Sequence, residues 1–224
     1  MDRLHRITLL LGKESVKKLQ KSTVMVVGCG AVGSFAIEAL ARSGVGHIVL
    51  VDFDKVEESN INRQLFALDS TIDKPKVLVA SQRIADINPK IKIDTFDTFF
   101  DENTNIDIKP DFVIDAIDTV PSKIALYKWC ENNNIPFVSS MGAARKTDLT
   151  KIKIGKISKT TVCPLASKIR RIVRDLRIKD FSVVYSTEVA TPQSNGGREF
   201  GSMITVTGTF GLMLADFVIK KLIS

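Results

Sequence analysis

Apolar and polar positions divide the chain into short blocks with two different periods. Asp2–Leu11 reads as a short amphipathic helix and Lys13–Gln20 as a second one. An unbroken apolar run from Val24 to Val27 then has the length of a buried strand, and a second such run spans Ile48 to Val51. Between them Ala36, Ile37, Leu40 and Ala41 recur at helical spacing. A helix is predicted over Lys74–Asn88, closed by Pro89, and a strand over Ile91–Thr95. Phe96–Pro110 is polar and predicts a loop with at most one helical turn, and FVID, from Phe112, predicts a buried strand. A helix over Ser122–Asn132, with Tyr127 and Trp129 as packing residues, and a strand over Phe137–Ser140 follow. Beyond Thr150, Ile152, Ile154 and Ile157 suggest a strand. A helix starting near Pro164 is predicted to bury Leu165, Ile169, Ile172, Val173 and Leu176. Val183–Glu188 predicts a last strand followed by polar residues. Thr191–Gly201, rich in Pro, Ser, Asn and Gly, predicts a mobile loop able to fold over a substrate. The apolar stretch Ser202–Ile223 is expected to be a buried strand-turn-helix at a dimer interface. Asp216 within it argues against a membrane span, since an acid at a bilayer centre costs roughly 2.5–3.5 kcal/mol.

The joint between the first two apolar runs carries the chemistry. Gly28, Gly30 and Gly33 follow the first strand, and Asp52 stands 19 residues past Gly33 at the end of the second. Strand, glycine turn, helix, strand and acid in that order form a nucleotide-binding pattern. The glycines allow a tight turn and close approach to a phosphate, the helix start offers free N–H groups, and the acid receives ribose hydroxyls. The expected fold is therefore α/β: a Rossmann-like sheet with helices on both faces, extended by a smaller C-terminal α+β part. We read residues 1–224 as one unit, with a nucleotide-binding core over 1–149 and a substrate and dimer-interface part over 150–224. A nicotinamide dinucleotide needs little positive charge beyond the second strand. Here Asp52, Asp54, Ser59, Asn60, Asn62, Arg63 and Gln64 fall in DFDKVEESNINRQ, and Lys76 comes 12 residues after Gln64. Arg63 and Lys76 suit the outer phosphates of a triphosphate, for which a dinucleotide has no counterpart.

Composition adds further constraints. A chain of 224 residues can bury a substantial core. The opening residues lack an apolar core before a cleavage site, so no secretory signal is expected. Cys29, Cys130 and Cys163 form no CxxC pair, which excludes a four-thiolate zinc site and suits a reducing cytoplasm. His5 and His47 belong to no recognisable triad or metal cluster. The net charge of +7, from 32 basic and 25 acidic residues, is compatible with a polyanionic partner. Its densest source is the helix near Pro164, with Lys168, Arg170, Arg171, Arg174 and Arg177, where a solvated face and a nucleic-acid contact are the two readings.

GxGxxG, DxD, SNxxRQ, a downstream PK and DAIDT arrive in one order that resembles the ATP-dependent adenylating enzymes related to the ubiquitin-activating enzyme. The resemblance implies a carboxylate substrate attacking the α-phosphate of ATP, with Asp118 holding magnesium. Asp115 is left as a second acid aimed at the nucleotide or as a cap on the next helix. It also implies a homodimer in which an arginine of the first helix, Arg6 here with Arg3 as second candidate, enters the partner's ATP site. A solvated arginine is the alternative. Asn60 and Gln64 would orient phosphates or the reacting acid. Met141–Arg145 (MGAAR) would leave room for an acceptor, or simply allow close packing.

Within that group the branch acting on sulfur-carrier proteins commonly holds zinc in two CxxC pairs, which this sequence lacks. GAARKTDLTKIKI, SKTTVCPLA and YSTE, together with DAIDTV, resemble the tRNA threonylcarbamoyladenosine dehydratases along nearly the whole chain. That resemblance implies ATP-dependent ring closure on N6-threonylcarbamoyladenosine in a tRNA anticodon arm, a role for the basic helix, and cytoplasmic location. It leaves a monovalent cation and a sulfur-relay partner open. Cys163, before Pro164 at a helix start, is the candidate nucleophile of a competing thioester mechanism. Ring closure itself requires no enzyme thiol. A non-catalytic nucleotide-binding scaffold is the alternative of another class.

Overall fold

Strand β1 (Thr23–Val27) lies at the middle of the molecule because four of its five side chains are buried. The structure is a computed structural model and describes residues 2–192 and 200–224. β1 is flanked by two strands in parallel register, β2 (His47–Asp52) and β4 (Phe112–Asp115). Beyond them lie β3 (Lys92–Asp97) beside β2, and β5 (Phe137–Ser140) beside β4. The C-terminal strands β6 (Ile152–Lys156) and β7 (Ser182–Ser186) join this same sheet. β7 runs parallel to β5, and β6 closes the edge antiparallel to β7. The order is β3-β2-β1-β4-β5-β7-β6, seven strands in all. Chain direction across the sheet reverses between β2 and β4, at β1, which is where open α/β sheets bind ligands beyond their strand ends.

Helices cover both faces. α2 (Lys13–Lys21), α3 (Gly33–Ser43), α4 (Lys76–Ile87) and α7 (Ile204–Ile223) pack on one side with Val24, Val26, Ile48, Leu50 and Ile114. α5 (Val120–Asn132) and α6 (Pro164–Asp175) cover the other. α1 (His5–Leu11) buries no residue of its own and hangs on Leu4, which is 5% exposed. The stretch between β3 and β4 has no helix, as its polarity predicts, although β3 itself runs two residues beyond the expected Thr95.

The C-terminal stretch departs from expectation. Residues 204–223 form one 20-residue helix with no strand or turn. Thr205, Thr207 and Thr209 imitate the period of a strand, but Val206, Phe210, Leu214 and Val218 recur every four residues on one buried face. Thr207 and Thr209 return their hydroxyls to carbonyls of the preceding turn, Met203 and Thr205, so the polar groups are satisfied within the helix. Gly211 lets α7 touch α3, for a Cβ there would stand 2.3 Å from the Val32 carbonyl oxygen. Among the described residues no helix is long and apolar enough to cross a membrane. The predicted loop over Thr191–Gly201 falls mostly on 193–199, outside the described residues.

Candidate functional site

A cavity of about 630 Å³ opens at the carboxyl ends of β1, β2, β4 and β5. Its floor is the glycine turn. Gly28 adopts φ 96°, and a Cβ there would meet the Ala116 carbonyl oxygen at 2.7 Å. Gly33 is required for another reason: a Cβ would fall 1.7 Å from the Gly28 carbonyl oxygen, so α3 could not begin so close to the turn. Gly28 and Gly30 line the cavity and Gly33 supports it from behind.

Asp52 ends β2 and is 9% exposed. It accepts the Cys29 N–H at 2.6 Å and the Asp54 N–H at 2.8 Å, which fixes its carboxylate against the glycine turn. Burial pushes the carboxyl up from its ordinary value, against the backbone hydrogen bonds and Lys76 that favour its charge. The Cys29 thiol is pushed well up by burial and by Asp52, so it is a packed sulfur rather than a nucleophile. Lys76 begins α4 and is buried. Its ammonium meets Asp54 at 2.7 Å on the cavity wall. Arg63 also lines the cavity, with its guanidinium given to the Ser59 carbonyl at 2.7 Å and to Asn62 Oδ1 at 2.9 Å. Gln64 is buried beside Gly30. Phe53 and Phe99, in edge contact at 4.9 Å, close this end with half-exposed rings.

Asn60 does not line the cavity. Its Oδ1 accepts the Glu57 N–H at 3.2 Å and its amide donates to Ser59 Oγ, so it holds the 3-10 turn that presents Arg63. Arg6 is exposed on α1, away from its own chain's cavity, while Arg3 is occupied by the Ile87 carbonyl.

The two acids of DAID separate completely. Asp118 is exposed on the cavity wall. Asp115, expected to face the nucleotide or cap α5, does neither. It is 0% exposed and its Oδ2 accepts from Lys123 Nζ at 2.7 Å and from Tyr127 OH at 2.8 Å, joined by Ser139. Its place on β4 turns it under α5, and Thr119 takes the cap position without a side-chain bond. Lys123, also 0% exposed, further donates to the Ser140 carbonyl at 2.8 Å. Burial and the neighbouring Asp115 push the Tyr127 phenol well up. Among the described residues no three His, Cys, Asp or Glu side chains are grouped to hold a metal by themselves.

The cavity continues past Asp118 into a second lobe under β5. Met141, Gly142, Ala143, Ala144, Arg145 and Lys146 line it from one side, and Cys163, Pro164 and Leu165 from the start of α6 on the other. Cys163 is 3% exposed and packs on Gly142, whose absent Cβ would lie 3.4 Å from the sulfur. Beyond, α6 turns Lys168, Arg171 and Arg174 outward, with Arg177 exposed just past its end. Arg170 does not join them: its guanidinium is half-buried and donates to the Thr160 carbonyl at 2.7 Å. Leu176, expected in the core, is 44% exposed because the helix ends at Asp175 and its face does not continue.

The glycine turn, the buried acid at the end of β2 and the cations Arg63 and Lys76 meet at one cavity, the arrangement of a nucleotide-binding α/β protein. The chain matches the ThiF family over residues 2–224 and belongs to it. It is 48% identical over 192 residues to the tRNA threonylcarbamoyladenosine dehydratase of Bacillus subtilis strain 168, covering 84% of this chain and 76% of that protein. The Escherichia coli K12 protein of the same name is 34% identical, over 96% of this chain and 91% of its own. The structure of the E. coli tRNA N6-threonylcarbamoyladenosine dehydratase in complex with ATP superimposes with a TM-score of 0.91 at 35% identity, covering 98% of this chain and 93% of that one.

Proposed function

We propose that the protein catalyses ATP-dependent cyclisation of N6-threonylcarbamoyladenosine in tRNA. The observation that carries this reading is the continuity of the cavity from the Gly28 turn and Lys76 to Gly142 and Cys163, which allows a triphosphate and an acid-bearing acceptor to meet. Full-length likeness to dehydratases supports it.

The acceptor's carboxylate oxygen attacks the α-phosphorus of ATP, and the bond to the bridging oxygen breaks as pyrophosphate leaves. A ureido atom of the same side chain then attacks the acyl carbon, AMP departs with the acyl oxygen, and the ureido proton is lost. The net change in the nucleoside is removal of one water. Gly28 and Gly30 bring backbone to the phosphates, Asp52 receives the ribose, and Gln64 stands beside the turn. Arg63 and Lys76 offset charge on the leaving phosphates. Asp118 is the residue that would hold magnesium; one carboxylate plus phosphate oxygens is a normal set for that ion, which would neutralise the leaving group. Lys168, Arg171, Arg174 and Arg177 supply a cationic face for the anticodon-arm backbone. A homodimer, with Arg6 entering the partner's site, belongs to the same reading. Ring closure by the substrate's own ureido group leaves Cys163 a wall of the lobe.

The test is mass analysis of nucleosides from tRNA bearing N6-threonylcarbamoyladenosine after incubation with protein, ATP and magnesium. Loss of one water per modified nucleoside is expected. An unchanged nucleoside, with pyrophosphate exchange instead supported by a small carrier protein, would move the protein to the sulfur-carrier branch.

A further inference from the structure

The second lobe contains an arginine held in a way that its place in the fold does not require. Arg145 lies five residues past the end of β5 with φ 62°, the left-handed region that a branched or long side chain rarely adopts. Such conformations persist only when their surroundings over-determine them, and they gather at ligand sites. The surroundings here do so. The Arg145 N–H donates to the Gly201 carbonyl at 2.9 Å, and its own carbonyl accepts the Thr191 N–H at 2.9 Å. Its Nε donates to the Thr191 carbonyl at 2.7 Å, and the guanidinium carbon stands 5.7 Å from the centre of the Phe200 ring. The next three residues are pinned to the chain after β7. Buried Lys146 donates to the Glu188 carbonyl at 2.7 Å, and the Glu188 carboxylate receives the N–H groups of Thr147 and Asp148. Val162, which precedes Cys163 on the opposite wall, also has positive φ, at 65°. Both walls of the lobe are thus built on unfavourable backbone.

The chemistry of that lobe is one-sided. Met141, Gly142, Ala143, Ala144 and Leu165 offer no charge. The phosphate-facing cations Arg63 and Lys76 stand on the glycine-turn side, near Asp54. With Nε given to Thr191, the Nη1–Nη2 edge of Arg145 is the edge that pairs bidentately with a carboxylate. We propose that Arg145 is the receptor for the acceptor's carboxylate, the specificity-determining residue that presents this acid to the α-phosphate. This rests on the reading of the site as ATP-dependent and acid-activating. Lys146, the other cation on this wall, is buried and gives its ammonium to the Glu188 carbonyl. The Arg145 fork therefore selects an acceptor with a free acid over its amide, because an amide offers the fork only one oxygen.

Steady-state kinetics on tRNA bearing N6-threonylcarbamoyladenosine, with ATP affinity measured separately, tests it. Arg145→Asn removes the cation but keeps a residue that tolerates the left-handed backbone. We expect it to raise KM for the modified tRNA by about 10- to 100-fold, the value of one charge-assisted bond. ATP affinity should stay at the wild-type value, with only a small fall in Tm from the lost Nε–Thr191 bond. Arg145→Lys should recover part of the loss, and millimolar ethylguanidinium should partly rescue Arg145→Asn. An active wild type with unchanged KM in Arg145→Asn overturns the proposal alone, as does a parallel fall in ATP affinity and Tm, which would make Arg145 framework only. A wild type that removes no water from the modified nucleoside overturns the underlying reading, and this assignment with it.

Discussion

Lys123 is wholly buried next to the site without lining it. Its ammonium neutralises Asp115 beneath the loop that carries Asp118, with both side chains at 0% exposure. Lys123→Met strands a carboxylate in the core and should lower stability by about 3–5 kcal/mol in chemical denaturation. The pair Asp115→Asn with Lys123→Met should recover most of it; a single variant as stable as wild type would show that the pair is not charged. This network was unreadable in the sequence. DAIDT displays two acids three positions apart, and nothing local says that one of them turns under α5 to meet Lys123, Tyr127 and Ser139. Gly28, Gly30, Gly33 and Asp52 were legible because their roles follow from chain geometry within one strand-turn-helix unit. The positive φ of Arg145 was not, since long-range bonds to Thr191 and Gly201, and of Lys146 to Glu188, impose it.

Among elements, α3 and α4 are tied by one carboxylate. Glu38 on α3 pairs with Arg83 of α4 at 2.8 Å and with Arg42 one turn along at 2.7 Å. Burial raises its pKa, but the hydrogen bonds and charges of Arg83 and Arg42 outweigh this and hold the carboxyl below its ordinary range. Because the folded value is the lower one, the stabilisation is complete above the unfolded value of about 4.3 and disappears as pH falls through the folded value. Thermal melts should therefore show Glu38→Gln below wild type in Tm near pH 6, with the gap closing below about pH 4. A gap independent of pH would assign the loss to packing. α6 permits a similar test of the nucleic-acid face. Charge reversal at Arg171, Arg174 and Arg177 should weaken tRNA binding and flatten its salt dependence by roughly 0.7–0.9 for each phosphate no longer neutralised. Arg170 is excluded from that set because reversing it would break its bond to Thr160. Unchanged affinity would leave α6 a solvated face. The helix was legible from its period, whereas its last turn and the continuous α7 were not: Leu176 lies past a helix end, and alternating threonines read as a strand.

Across the whole molecule, the C-terminal residues extend one sheet rather than forming a body beside it, so both ends of the cavity rest on neighbouring strands. Lys76→Ala or Arg63→Ala should lower acceptor-dependent pyrophosphate exchange by about 100- to 1,000-fold while circular dichroism stays unchanged; ordinary exchange would remove both from the phosphate end. Cys163→Ser should keep most cyclising activity, and an inactive but folded variant would favour a thioester route. That the chain builds a Rossmann-like sheet with helices on both faces followed from its pattern. That β7 inserts beside β5 and leaves β6 at the edge did not, because pairing partners so distant in sequence leave no periodic trace. β4 leads to Asp118 and β5 leads to Arg145, and Asp115 stands opposite Ser139 in their shared register. Adjacent strands are about 4.8 Å apart and do not slide. The sheet thus fixes the separation at which the two loops leave it. Acids one carbon longer or shorter than the native acceptor should turn over poorly however well each half of the cavity receives its own ligand.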